Sequence, residues 1–250
     1  MICFRTRITV KGILFFLSLE TVVIWKLESE VSIIERFDQV LEEVRSVWEK
    51  GRQSPFIQEM RKGSLSDERF SRYLEQDDLY LTAYVRLCGR AIANAEDKKE
   101  IRIYLSLIDF SLATEIGTRE NVLAGEFDDP TDRKIVGLPG TEDYIRFLMS
   151  FMDDSDNRRI LPALLNCMLT YDHIFTRIAG DMDLAENKYS FFVRDYLTDR
   201  YAGYCRAWTD YAADCYRKMS SDEQDEFLQI MLAGANLENA FWAMAYGEDQ

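Results

Sequence analysis

The stretch FSRYLEQDDLYLTAY, residues 70–84, decides the fold of this chain. Its apolar residues recur at helical spacing, and Ser66 followed by two acidic residues marks the start of a helix. The face that should be apolar is interrupted by Tyr73, Gln76, Asp77, Tyr80 and Tyr84. A carboxylate on a buried face is costly unless it has a partner. Asp77 therefore either pairs within a helical bundle or belongs to a functional site.

Helical spacing extends through the rest of the chain. A helix is predicted from about Val31 to a break at Gly51–Pro55, and the last one begins at Ser220, where Ser220-x-x-Glu223 forms a capping box. Between them, helices are predicted near 98–124, 141–152, 158–180, 187–200 and 202–218, with the longest loop at 125–140. The sequence therefore predicts one all-α domain over residues 27–250, with neighbouring helices packed antiparallel.

The first 26 residues differ in composition from the rest. Arg5, Arg7 and Lys11 precede a short apolar run that Glu20 interrupts, so the segment is too short to span a membrane. A signal peptide would show the same basic start but would also need a small-residue cleavage site. We interpret residues 1–26 as an N-terminal extension that is disordered, a non-native start or a weak targeting segment.

Composition excludes several classes of protein. The 250 residues are 47% hydrophobic and carry a net charge of −14, which argues against a disordered chain, a nucleic-acid binder and a protein bound to anionic membranes. A single histidine, His173, excludes a metal site built on several histidines. Five scattered cysteines without a CxxC motif indicate reduced thiols and a cytoplasmic protein.

Two later helices repeat the anomaly of the first. Cys167 and Tyr171 share a face of an otherwise apolar helix, and Glu238 lies on a mixed face with Phe241, Trp242 and Tyr246. Taken alone, a buried cysteine is usually a small apolar residue and a helical glutamate is usually solvated. The pattern alone leaves both interpretations open.

Four segments in order resemble the TenA/thiaminase II family of aminopyrimidine hydrolases, in its cysteine-bearing subgroup. The resemblance covers about residues 34–248. The segments are PFIQEMRKGSL at 55–65, FSRYLEQDDLYL at 70–81, LLNCMLTY at 164–171 and ENAFWAMAY at 238–246. This resemblance implies an all-α, haem-oxygenase-like helical bundle. The chain departs from the family pattern at Asn166 (usually proline), Ser54 (often histidine), Phe191–Phe192 (usually tryptophan) and the loop 125–140.

The resemblance also implies a chemistry. The substrate would be 4-amino-5-aminomethyl-2-methylpyrimidine, or thiamine itself, and the product 4-amino-5-hydroxymethyl-2-methylpyrimidine, made in thiamine salvage. Cys167 would be the nucleophile and Glu238 the general acid that protonates a ring nitrogen. Asp77 would stay ionised and bind the ring amidine. The aromatic walls of the site would be Tyr80, Tyr144, Tyr171 and Tyr196. No metal or organic cofactor is required.

Other functions remain open on the sequence alone. A pyrimidine- or thiamine-binding protein of the same fold would keep the pocket without turnover. A diiron oxidase, whose chemistry also occurs on this fold, needs more histidines than the chain has. Family resemblance predicts a homotetramer that binds a small molecule, with no nucleic-acid or membrane partner. Whether thiamine or its breakdown products are preferred is left undecided.

Overall fold

The computed structural model describes residues 6–10, 13–17, 37–110 and 135–247 and divides the chain into two compact units, Met1–Glu42 and Glu43–Gln250. In the first unit, strands β1 (Thr6–Val10) and β2 (Ile13–Leu17) pair antiparallel. β-branched and aromatic residues favour extended backbone, in agreement with strands at these positions. The interpretations given for residues 1–26, and the boundary after residue 26, stay predictions.

From residue 37 onward, the described chain is helical, which confirms the all-α class predicted for it. The helices are α1 (37–52), α2 (Pro55–Lys62), α3 (Asp67–Asn94), α4 (Lys98–Phe110), α5 (Pro139–Met149), α6 (Ile160–Ala179), α7 (Ser190–Asp195), α8 (Asp199–Tyr216) and α9 (Ser221–Tyr246).

Side-chain caps fix where the long helices begin. The Ser66 hydroxyl accepts a hydrogen bond from the backbone N–H of Arg69 at the start of α3. The predicted capping box is present at α9, where Ser220 and Glu223 bond each other's backbone N–H groups. These caps satisfy amide donors that have no partner within the helix.

Three boundaries differ from the predicted ones. Helix α5 begins at Pro139, inside the predicted loop, because proline at a first helical position loses no intrahelical hydrogen bond. Helix α8 begins at Asp199 because the Thr198 hydroxyl caps it. The helix predicted at 187–200 is therefore reduced to the short α7. Residues 111–134, which held the predicted end of α4 and part of the loop, lie outside the described residues.

Helix α6 lies at the centre of the bundle. It packs against α3, α8 and α9, and every residue from Ile160 to Asn166 is buried. A helix that is apolar on all sides has no solvent face to keep polar. The polar side chains of Asn166 and Thr170 on α6 are consequently buried in the protein interior, which is the condition for an internal site.

His173, the only histidine of the chain, serves this packing. Its ring lies 5.4 Å from that of Trp48, and its Nε2 lies 3.7 Å from Glu49 Oε2. The pKa of His173 is lowered to about 4, chiefly by burial and also by nearby Arg177, although Glu49 acts to raise it. The imidazole is therefore neutral at pH 7, and its contact with Glu49 is not an ion pair there.

Within the described part of the chain, there is neither a group of metal ligands nor a membrane-spanning helix. No three His, Cys, Asp or Glu side chains there are grouped as metal ligands would be. None of the helices in the described ranges is long and apolar enough to cross a membrane. The predicted cytoplasmic location stays a prediction.

Gly51 marks the close approach of α1 to α9. A Cβ at this position would lie 2.2 Å from Asn239 Oδ1 and 2.6 Å from Trp242 Cζ3. Trp242 is fully buried, so it has little room to retreat. We expect Gly51→Ala to lower the free energy of unfolding by about 1–3 kcal/mol, because overpacking outweighs the gain in helix propensity. Chemical denaturation monitored by circular dichroism measures this change.

Gly89 in α3 supplies the matched control. A Cβ there would meet no atom within 4 Å outside its own helix backbone. Gly89→Ala should therefore leave stability unchanged or raise it by up to about 1 kcal/mol, as alanine does in an open helical position. Equal losses of stability in the two variants would contradict a packing role for Gly51.

Candidate active site

The tyrosine face of α3 points into the bundle. Asp77 is only 2% exposed, and Tyr80 and Tyr84 follow it on the same side of the helix. The Tyr84 hydroxyl donates a hydrogen bond to the Leu164 carbonyl at 3.1 Å, which joins α3 to α6. The Tyr80 hydroxyl is buried and makes no hydrogen bond with the described residues. A buried phenol without a partner is costly, so it is available to a ligand.

Cys167 lies halfway along α6, one turn before Tyr171. Its side chain is half-buried and lines a narrow pocket between α3, α4, α6 and α8. Burial raises the pKa of the other described thiols, Cys88, Cys205 and Cys215. These three thiols are therefore poor sources of thiolate at neutral pH.

Glu238 on α9 is 2% exposed and is held by a tyrosine. Its Oε1 accepts a hydrogen bond from the Tyr144 hydroxyl of α5 at 2.8 Å. Burial raises the pKa of Tyr144 well above its usual value, and the neighbouring Glu238 and Cys167 raise it further. Tyr144 consequently keeps its proton at neutral pH and acts as the donor.

Tyr80 lies next to Tyr144, the tyrosine that is bonded to Glu238. Its ring is 4.5 Å from that of Tyr144. Burial raises the pKa of Tyr80, with further contributions first from Cys167, then from Tyr144 and Glu238. Cys167 and Glu238 therefore both raise the pKa of Tyr80 and of Tyr144, although they lie on different helices. This shared neighbourhood brings a thiol and a buried carboxyl to one place.

Tyr171 lines the same pocket as Cys167, and its own side chain is held in place by a hydrogen bond. Its hydroxyl shares a hydrogen bond of 2.7 Å with that of Tyr73, which fixes the ring between α3 and α6. The ring lies 5.2 Å from that of Tyr196 and 5.8 Å from that of Trp242. Burial raises the pKa of Tyr171, so this phenol also stays protonated.

Gln76 fastens the start of α5 to α3. Its side-chain amide donates to the Val136 carbonyl at 3.1 Å, and its carbonyl accepts from Leu138 N at 2.8 Å and from the Thr141 hydroxyl at 2.7 Å. Tyr144 lies one turn after Thr141. These three bonds therefore position the helix that carries the partner of Glu238.

Comparison with known proteins identifies the family of this chain. The TENA/THI-4/PQQC family model matches residues 41–248. The chain belongs to this family. A relative named aminopyrimidine aminohydrolase, from Halalkalibacterium halodurans, is 24% identical over 214 residues, which cover 83% of this chain and 93% of the relative.

Solved TenA structures share the fold. The TenA homologue protein from P. horikoshii OT3 matches with a TM-score of 0.74 at 20% identity, covering 86% of this chain and 99% of that one. A domain of unknown function with a heme oxygenase-like fold, from Shewanella denitrificans, matches with a TM-score of 0.61 at 16% identity, covering 84% of this chain and 92% of its own. The predicted family and the predicted haem-oxygenase-like fold are confirmed.

The predicted site residues mostly lie together. Cys167 and Glu238 share their neighbourhood with Tyr80, Tyr144 and Tyr171, and Tyr196 adjoins Tyr171. Asp77 is buried one turn before Tyr80, on the face of α3 expected for it. The catalytic and binding roles of all seven residues stay predictions.

Three of the residues that depart from the expected family pattern have structural roles in this chain. Ser54 caps α2, and Phe192 packs against the rings of Tyr73, Phe175 and Tyr196. Asn166 accepts a hydrogen bond from Trp48 Nε1 at 3.3 Å, and its amide occupies space opened by Gly234 of α9. Asn166 therefore joins helices.

Several residues around the site were missed from the sequence. Tyr201 and Tyr204 of α8 line the pocket with Leu107 and Phe110 of α4. The spacing of two tyrosines on one face of α8 was the available signal, but the pairing of α8 with α4 could not be read from it. Tyr73 was recognised as a polar interruption without its bond to Tyr171.

Proposed function

We propose that this chain hydrolyses 4-amino-5-aminomethyl-2-methylpyrimidine to the hydroxymethylpyrimidine and ammonia, as a thiaminase II-like enzyme of thiamine salvage. The observation that carries this proposal is the contact of a buried carboxyl and a half-buried thiol with the same group of tyrosines. Tyr144 donates a 2.8 Å hydrogen bond to Glu238, and its ring lies 4.5 Å from that of Tyr80. Cys167 lines a pocket with Tyr84 and Tyr171. The name of the H. halodurans relative supports the same reaction. No metal or organic cofactor is needed for it.

The site offers complementary groups to an aminopyrimidine. Asp77 would accept hydrogen bonds from the amidine edge of the ring, and such charge-assisted bonds are about twice as strong as neutral ones. The unpartnered hydroxyl of Tyr80 would bond the substrate, and the aromatic rings would enclose a flat heterocycle. Tyr144 holds the carboxyl of Glu238 in place through its hydrogen bond, and we assign that carboxyl to a ring nitrogen of the substrate.

The proposed reaction begins with protonation of the ring. Glu238 gives its proton to a ring nitrogen while the Cys167 thiolate forms a C–S bond to an electron-poor ring carbon. The substrate's amino group carries a proton at neutral pH, so when the ring electrons break the C–N bond at the methylene, it leaves as ammonia. The protonated phenols near Cys167 can donate hydrogen bonds, which stabilise a thiolate.

The second half of the reaction restores the enzyme. Water adds its oxygen to the exocyclic methylene, and its released proton leaves with ammonia as ammonium. The C–S bond then breaks, the ring nitrogen returns its proton to Glu238, and the ring regains its aromaticity. The net change exchanges an amine for a hydroxyl through a covalent intermediate.

The direct test incubates the purified chain with 4-amino-5-aminomethyl-2-methylpyrimidine. Ammonia and the hydroxymethylpyrimidine should appear in equal amounts, measured by a coupled ammonia assay and by chromatography. Calorimetry in parallel separates the alternative of a pyrimidine-binding protein, which would bind the compound tightly and form no product. Absence of product with this compound and with thiamine would overturn the proposed function.

A further inference from the structure

Two buried tyrosines hold the turn of α6 that carries Cys167. The Tyr84 hydroxyl of α3 donates a hydrogen bond to the Leu164 carbonyl at 3.1 Å. The Tyr201 hydroxyl of α8 donates to the Met168 carbonyl at 2.8 Å. Leu164 lies three residues before Cys167, and Met168 directly follows it. This turn of α6 is therefore bonded to two other helices, once before the thiol and once after it.

The helix itself does not need these two bonds. A helical carbonyl already accepts the N–H of the residue four positions later, and its second lone pair is free for another donor. The phenols take this second place, so they join α6 to its neighbours and resist its rotation or sliding. The carbonyl of a helical residue also lies close to the side chains three and four positions later. The Leu164 carbonyl is therefore fixed beside the side chain of Cys167.

The same tyrosines form part of the surroundings of the thiol. Tyr84 and Tyr201 are 3% and 2% exposed, and both line the narrow pocket that Cys167 lines. The ring of Tyr84 lies 5.9 Å from that of Tyr80, and the ring of Tyr201 lies 5.2 Å from that of Tyr196. Each of the two therefore connects the turn that carries the cysteine to an aromatic residue predicted to bind the substrate.

We propose that Tyr84 and Tyr201 are positioning residues that hold the thiol of Cys167 where it can attack the pyrimidine. This proposal rests on the proposed function. The carboxyl groups assigned to the ring, those of Asp77 and Glu238, lie on α3 and α9 rather than on α6. A displaced turn of α6 should therefore slow formation of the C–S bond and leave binding of the substrate nearly unchanged.

The test uses Tyr84→Phe and Tyr201→Phe, which remove the hydroxyl and keep the ring. Tyr189→Phe is the matched control, because the Tyr189 hydroxyl donates to the Leu65 carbonyl at 2.6 Å, is equally buried and lies outside this pocket. We expect kcat for the aminomethylpyrimidine to fall about tenfold to a hundredfold in the first two variants, the scale that misplacement of a reacting group produces. Their KM should stay within about twofold of the wild type. Tyr189→Phe should lose comparable thermal stability and keep the wild-type kcat.

Hydrogen exchange provides a readout that does not depend on turnover. Backbone amides in peptides that span residues 164–172, followed by mass spectrometry, should exchange faster in Tyr84→Phe and Tyr201→Phe but not in Tyr189→Phe. Unchanged exchange in both, a kcat no lower than that of Tyr189→Phe, or a rise in KM in place of the fall in kcat would overturn the proposal. If no form of the chain turns over either substrate, the proposed function fails, and exchange still decides whether the two hydroxyls hold this turn.

Discussion

Replacing Cys167 with serine is expected to lower turnover of the aminomethylpyrimidine by at least about 10³-fold, the scale seen when a catalytic nucleophile is removed. Serine has nearly the same size, so the packing of α6 should be preserved. Its hydroxyl is not ionised at neutral pH and lacks the nucleophilicity of a thiolate. Ammonia release under saturating substrate measures the loss, and thermal denaturation shows whether the fold is kept.

Cys215 provides a matched control for this substitution. It is also half-buried and lies on α8, but it lines a different pocket from Cys167. Cys215→Ser should therefore turn over substrate at close to the wild-type rate. If Cys167→Ser kept its activity, or if both variants lost it equally, a nucleophilic role for Cys167 would be wrong.

Glu238→Gln should have the second large effect, a decrease in kcat of about 10²–10⁴-fold. Glutamine keeps the volume of the side chain, and its carbonyl can still accept the hydrogen bond from Tyr144. It cannot deliver a proton to the ring nitrogen. A general acid must carry its proton, so wild-type kcat should fall toward high pH and this fall should be absent in the variant. Measuring kcat from pH 5 to pH 9 checks this.

Tyr144→Phe tests whether this tyrosine acts through Glu238. It removes the 2.8 Å hydrogen bond and keeps the ring. If Tyr144 serves only to hold the carboxyl, the double variant Tyr144→Phe/Glu238→Gln should be no slower than Glu238→Gln alone, because Tyr144 then has no effect without that carboxyl. A double-mutant cycle measures this coupling. Additive losses would assign Tyr144 a separate role, and an unchanged pH profile in Glu238→Gln would exclude that residue as the general acid.

The helices could be predicted largely from local signals. Ser66 and Ser220 mark the starts of α3 and α9 because a cap depends only on residues within one turn. The polar face of α3 was visible because helical spacing places Asp77, Tyr80 and Tyr84 on one side. Short α2 was not predicted as a helix, since eight residues give little periodicity and its signals were Ser54, Pro55 and Gly63.

The site itself depends on contacts that local spacing does not encode. The bond between Tyr73 and Tyr171 and the bond between Tyr144 and Glu238 each join residues that are distant in the chain. Resemblance to a family named Tyr144, Tyr171 and Glu238 as site residues but predicted neither bond. The hydrogen bond between Tyr204 and Asp109 was missed for the same reason, because these residues meet only after α4 and α8 have packed together.

The fit of Asn166 against Gly234 has a consequence for how this sequence can change. A proline at residue 166 would leave Trp48 Nε1 without its acceptor and vacate the space that Gly234 provides. Conversely, a Cβ at Gly234 would lie 2.9 Å from Asn166 Nδ2. We therefore expect substitutions at these three positions to be coupled, so that a change tolerated at one of them depends on the residues at the other two.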